Sequence, residues 1–245
     1  MKTFLATLAA ASAMIAATPA LADPITLDGS DVGTSFTVEF DGFAGSPDNT
    51  VDGLTSSITF TLEEVTGNAY SFGYLVDNTT SAGLTSKVSS FAFNVDPDIS
   101  GASVSGAYSY AFVTDGRGND PTYPNQIGAV DVCFKAANSG SCSNGGGVSE
   151  GSTGSGSLVL NFDPGASAIT LSDFFVRYQG ITGAGEVGSA SGRSTTSSGS
   201  TGSSTSSGAQ VPAPGMIGLL GLALLGLGAI RHRRRARAPG RPALA

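Results

Sequence analysis

The residue types that carry chemistry are scarce in this chain, and most stand in the wrong context for it. The single histidine, His232, lies in a basic C-terminal tail. No serine upstream therefore has a neighbouring imidazole in its own region, and hydroxyl nucleophiles usually need such a base. A lysine base would have to be Lys87 or Lys135, and neither sits in a recognisable motif. Glu63 and Glu64 are adjacent; on a regular strand such neighbours point to opposite faces and cannot form the paired acid and base of a hydrolase. GAGEVG at 183–188 has the glycine spacing of a dinucleotide loop. That loop needs a strand before it and a helix after it to aim backbone amides at a pyrophosphate, whereas a Ser/Gly run follows here. Acidic turns at Asp96-Pro97-Asp98 and at 115–120 (DGRGND) offer oxygens of the kind calcium takes. Neither has EF-hand spacing, and Asp and Asn are standard turn residues because their side chains bond the nearby backbone. The sequence thus assigns no catalytic residue, no metal ligand set and no cofactor.

The only two cysteines, Cys133 and Cys142, bracket the segment CFKAANSGSC. A disulfide closing that loop would stabilise the fold by about 2.7 kcal/mol on the chain-entropy relation, less any strain. The alternatives are two free thiols or a metal pair. The latter lacks partners, since the region holds no histidine and no second cysteine pair.

The elements that must position these residues read as strands. Alternation marks Phe36-Val38-Phe40, Ile58-Phe60-Leu62, Tyr70-Phe72-Tyr74-Val76, Phe91-Phe93-Val95, Tyr108-Tyr110-Phe112, Val130-Val132-Phe134, Leu158-Leu160-Phe162 and Phe174-Val176-Tyr178. Residues two apart share a strand face, so each run offers an apolar face and a Ser/Thr/Gly-rich one. Breaks such as DPDISG and FDPGAS separate them. No helical period precedes Met216. Successive half-buried strands without helices predict an all-β domain over 23–182, an antiparallel β-sandwich or jelly-roll-like fold. A β-helix is the second choice, and no fixed repeat supports it. The period-two aromatics read as core. In DFFVRYQGI, Phe174, Val176 and Tyr178 should face inward and Asp173, Phe175 and Arg177 outward, with Arg177 able to pair with a carboxylate across the sheet.

Charge and composition divide the rest. Every Asp and Glu lies between Asp23 and Glu186, where the only cations are Lys87, Arg117, Lys135 and Arg177. Such an acidic domain repels nucleic acid and anionic membrane surfaces. From 183 to 210 the chain turns to Gly, Ser and Thr, which predicts a flexible linker of roughly 30 Å r.m.s. span. Residues 1–22 read as a signal peptide: Lys2 as n-region, an uncharged run over 4–17 and Ala20-Leu21-Ala22 as cleavage site. At the other end Val211, Pro212, Ala213 and Pro214 precede an uncharged run over 216–230, then the basic cluster Arg231, Arg233, Arg234 and Arg235 and a cytoplasmic tail over 236–245. A helix of about 15 residues is about 22 Å long, short of the ~30 Å hydrocarbon core without help from its flanks. Its leucines and isoleucines favour insertion by roughly 4 kcal/mol, which its glycines erode. The arginines stay cytoplasmic, so everything before Val211 is expected outside the cytoplasm, where disulfides form.

Motif, apolar run and basic cluster in this order resemble the tripartite C-terminal sorting signal of PEP-CTERM proteins. The resemblance covers 211–235, with alanine at 213 where the family usually has glutamate. It implies recognition by an exosortase, an intramembrane cysteine protease that cuts near the motif, in a bacterium with an outer membrane and a polysaccharide matrix. A plain membrane anchor with a stop-transfer cluster is the alternative. A second resemblance lies inside the domain: DVCFKAANSGSC, SLVLNF and SDFFVRYQGI are similar to the paired-cysteine and aromatic-arginine pattern of the cistern subgroup of PEP-CTERM proteins, a domain without assigned activity. Together these imply an exported surface or extracellular-matrix protein with a non-enzymatic structural role. It would pass through the inner membrane and a transient C-terminal anchor, with an exosortase-like protease as partner. The other reading is a glycan- or calcium-dependent adhesive module that meets extracellular polysaccharide.

Overall fold

The computed structural model describes residues 24–114, 121–138, 142 and 145–200, all within one compact unit. The signal peptide, the acidic turn at 115–120, the motif Val211, Pro212, Ala213, Pro214, the apolar run and Arg231, Arg233, Arg234 and Arg235 lie outside the described residues.

The described chain is all-β, apart from one 3₁₀ turn at Gly29–Asp31. In order the strands are β1 Ile25–Asp28, β2 Ser35–Phe43, β3 Thr50–Thr66, β4 Ala69–Asp77, β5 Thr85–Asp96, β6 Gly101–Gly106 and β7 Tyr110–Val113. There follow β8 Thr122–Tyr123, β9 Gly128–Ala129, β10 Val132–Lys135, β11 Val148–Ser149, β12 Thr153–Asn161, β13 Ala168–Thr182 and β14 Ser189–Ser200. One antiparallel sheet runs β6-β12-β4-β3-β2-β14-β13-β5-β10-β7, with β1 on β13 and β11 on β5. Its two ends, β6 and β7, are consecutive in the chain and lie against each other, so the sheet nearly closes on itself in a sandwich-like shape. Near-closure leaves little open edge, the chief aggregation liability of a β-protein.

Six of the eight alternating runs supply the core as their period requires, and in a seventh Val132 and Phe134 do so while Val130, ahead of the strand, packs outside it. Phe36, Val38 and Phe40 of β2, Ile58, Phe60 and Leu62 of β3, and Phe174, Val176 and Tyr178 of β13 are all buried. Phe60 sits at the centre, its ring centroid within 6.0 Å of those of Phe36, Phe91, Phe93 and Phe174. Buried tyrosines keep their hydroxyls bonded, as burial demands: Tyr178 with Ser56 Oγ at 2.7 Å, and Tyr108 donating to the Val88 carbonyl at 2.8 Å. The eighth run departs from its period. Tyr108 is fully buried in the loop before β7, whereas Tyr110 faces outward and is 37% exposed. β7 begins only at Tyr110, and two residues on either side of a strand start need not share a face.

The stretch 183–210, which composition marks as a linker, divides in the structure. Residues 183–188 form the turn of a hairpin, and Ser189–Ser200 is β14, hydrogen-bonded to β13 on one side and β2 on the other. The β-domain therefore extends past 182 to Ser200. A strand with this composition is stable here because its inward positions are small and fit tight gaps. A methyl at Gly192 would meet the Asp41 carbonyl oxygen at 2.5 Å and Val176 Cγ2 at 2.6 Å. Ala190, on the same inward face, is fully buried, and so is Ser191 on the opposite face. No local apolar period announces such a strand, because its burial is supplied by β2 and β13.

Candidate functional site

Strand register assembles an outward face that no local pattern reveals. Asp41 of β2 lies opposite Arg193 of β14, Arg193 opposite Phe175 of β13, Phe175 opposite Ala92 of β5, and Ala92 opposite Cys133 of β10. The next row runs Phe43, Ser191, Arg177, Ser90, Lys135. Directly opposed residues share one face of a sheet. The cysteine segment and DFFVRYQGI, far apart in sequence, are therefore neighbours because both flank β5.

A cap covers the middle of this face. Cys133 and Cys142 are joined by a disulfide, both fully buried. With Tyr123, Val130 and Ala92, and with Ile127 and Phe175 packed alongside, they make a second small apolar cluster outside the main core. Ser90 ties the cap down: its Oγ donates to the Cys142 carbonyl at 2.7 Å and lies 2.9 Å from the Tyr123 hydroxyl. The cap explains why β5 carries Ser90 and Ala92 outward, since larger side chains would leave it no room.

Two cations are buried on this face of the sheet. Arg177 is 6% exposed and donates to Ser189 Oγ at 2.7 Å and Ser191 Oγ at 3.3 Å. The sequence suggested a carboxylate partner; the described bonds go to serine hydroxyls of β14, because β14 rather than an acidic strand is the neighbour. Arg177 Nε has no hydrogen-bond partner. Burial draws the Arg177 pKa down, opposed by the nearby Tyr123. Lys135 is fully buried with Nζ 5.2 Å from the Phe112 ring centroid, and burial draws its pKa down as well.

Beside the cap, the same face opens into a pocket of about 190 Å³ lined by Phe43, Pro47, Gln126, Ile127, Asp173, Phe175, Arg193 and Ser194. Among the described residues, Asn125 (φ 60°), Gln126 (φ 67°) and Asp173 (φ 49°) are the non-glycine residues with left-handed backbone, and all three stand at or next to this pocket. Asn and Asp enter this region readily as turn residues, so Gln126 is the residue whose conformation the surrounding structure must hold. Asn125 Oδ1 accepts from Gly45 N at 3.3 Å, and its Nδ2 donates to Ser191 Oγ at 3.1 Å. Asp173 sits on a bulge of β13 against β5, and Asn94 Nδ2 donates to its Oδ2 at 3.0 Å. Arg193, half-buried, makes no side-chain hydrogen bond or ion pair with a described residue. Asp41 Oδ1, on the neighbouring strand, is buried without a partner.

The residues singled out for other chemistry are dispersed. Glu63 occupies a bulge of β3, and both Glu63 and Glu64 are exposed. The glycines of 183–188 turn a hairpin, closed by Ile181 N donating to the Gly188 carbonyl at 3.1 Å, and a strand, β14, follows where the dinucleotide loop needs a helix. Among the described residues no three His, Cys, Asp or Glu side chains converge as a metal site. Residues 115–120 are outside that statement. Compared with known proteins, the chain matches no protein-family model and no curated protein.

Proposed function

We propose that this chain is an exported surface or extracellular-matrix protein, sorted by an exosortase-like protease, with a non-enzymatic structural role. The observation that carries the proposal is the uninterrupted order of Val211, Pro212, Ala213, Pro214, the apolar run over 216–230 and Arg231, Arg233, Arg234, Arg235, paired with a signal-like segment at 1–22. Its architecture is a β-sandwich or jelly-roll-like domain carried on a short tether, with the C-terminal run as a transient membrane helix. Supporting features are the acidic surface, the buried disulfide suited to an oxidising compartment and the nearly closed sheet. The last described strand ends at Ser200, ten residues before Val211 counting 201–210. A Ser/Gly coil of that length spans roughly 17 Å, enough to hold the domain off the bilayer and leave the motif accessible.

Intact mass of the extracellular protein tests the proposal. Cleavage near 211–215 is expected, with the 216–230 run absent. Replacing Pro212 and Pro214 with alanine should leave membrane insertion intact and accumulate uncut chain. Release of the double variant at the wild-type rate would mean that the motif is not recognised at these residues and would remove the main support for sorting, whereas a mature form retaining 231–245 would favour the plain-anchor reading.

A second reading, an adhesive module that binds extracellular polysaccharide, is favoured by one feature: the mixed apolar and polar pocket beside Phe175 and Arg193.

A further inference from the structure

We infer that the pocket between Phe43, Phe175 and Arg193 is a subsite for one neutral pyranose ring of a polysaccharide. This deepens the adhesive reading and rests on it.

Size comes first. At about 190 Å³ the pocket falls below the ~300–1,000 Å³ of sites for drug-sized ligands, which suits a single ring and not an extended cofactor. Its walls supply the apolar contact such a ring needs. Phe175 is half-buried and braced from behind by Tyr123, with ring centroids 6.0 Å apart, while Pro47, Ile127 and Phe43 complete the lining.

The polar groups select the chemistry. Each sugar hydroxyl both donates and accepts, so a sugar site needs both kinds of group around an apolar face. Arg193 provides donors that no described residue occupies, Asp173 an acceptor, and Gln126 one of each. Asp173 is already oriented by Asn94, and Gln126 and Asp173 are both held in left-handed backbone. Positions fixed before binding lose little entropy on binding.

Charge excludes the rival classes. Asp173 in the pocket and Asp41 on the strand beside Arg193 outnumber that one cation, which disfavours phosphate, sulfate and uronate. An ammonium ligand would meet Arg193 on the pocket wall together with the one lining carboxylate, Asp173, so it gains no unopposed partner. A neutral polyol is left, and an aromatic face with a carboxylate and a guanidinium around it accommodates one.

The test uses purified full-length protein in detergent on an array of neutral oligosaccharides, uronate-containing oligosaccharides and sulfated dextran, with and without EDTA. Neutral glycans should bind, in EDTA as well as without it. Titration calorimetry with the best neutral glycan should then show affinity falling about tenfold or more in both Phe175→Leu and Arg193→Ala, a difference of ~1.4 kcal/mol. Lys87→Ala, at an exposed position on β5, should bind like wild type. Leucine keeps the apolar cover of the cap, and an unchanged urea midpoint confirms each variant's fold. A Phe175 or Arg193 variant that fails to fold is replaced by Asp173→Asn, since asparagine tolerates left-handed backbone. Neutral binding undiminished in these variants would overturn the subsite and leave the adhesive reading standing. Binding confined to charged glycans, or abolished by EDTA, would move recognition elsewhere and overturn the subsite too. Absence of all glycan binding would overturn both.

Discussion

Tyrosines are the residues whose chemistry the fold alters most. Burial pushes the hydroxyl pKa of Tyr108, Tyr123 and Tyr178 upward, in each case as the leading cause. The folded domain therefore holds these protons more tightly than the unfolded chain, whose tyrosines titrate near the ordinary value of about 10. Stability from this source is complete below that pH and is lost as pH rises above it, since only the unfolded state releases the protons. The expected outcome is cooperative alkaline unfolding: tyrosinate absorbance should appear together with loss of the strand signal in circular dichroism. Tyrosinate from these residues titrating near pH 10 with the sheet intact would contradict their burial. Arg177 shows a related effect of context, since two serines of β14 accept its hydrogen bonds and so join a buried cation to a polar strand.

At the scale of elements, β14 is the decisive one. Two glycines in it and its turn have opposite expectations. Gly192→Ala forces a methyl against the Asp41 carbonyl and Val176, and overpacking of that kind costs about 1–3 kcal/mol. Gly188→Ala meets nothing within 4 Å and has no positive φ, so it should be neutral or stabilising by up to about 1 kcal/mol through the unfolded chain. Urea midpoints of the two variants separate these outcomes. Truncation tests the strand as a whole. A chain ending at Gly188 leaves the pairing edges of β2 and β13 open and exposes the hydroxyl-bonded Arg177, so it should fail to show a cooperative urea transition. A chain ending at Gly202 keeps β14 and should unfold like the full-length protein. Equal behaviour of the two would mean that 189–200 contributes nothing to the sheet.

At the scale of the molecule, the main sheet separates two buried regions among the described residues: the aromatic core inside, and the small cluster under the disulfide cap outside. The bond between Cys133 and Cys142 closes a short loop, and its removal should cost up to about 2.7 kcal/mol of stability. Because the core lies on the other face of β5 and β10, reduction should loosen the cap and leave the sheet folded. Peptide mapping of non-reduced, alkylated protein should give one cross-linked peptide. Hydrogen exchange after reduction should rise at 121–131 and remain low in β3, β4 and β10. Equal loss of protection in all of these would instead make the cap part of the main folding unit.

Local pattern was enough for the all-β class and for most of the core, because a period of two in Phe36-Val38-Phe40 or Phe174-Val176-Tyr178 states which face each side chain takes without reference to any neighbour. The same holds for the cysteine pair, whose short loop limits its partners. Three things needed the tertiary structure. β14 has no apolar period, since Gly192 and Ser191 are buried by β2, β13 and Arg177 and not by their own hydrophobicity. The partner of Arg177 depended on which strand lies beside β13, and chain order does not state that a segment from the far side of a hairpin is inserted there. The pocket unites Phe43, Gln126, Asp173 and Arg193 from four distant stretches. Strand register is set by long-range pairing and the bulge at Asp173 by its contact with β5, so only the folded sheet brings those groups to one place.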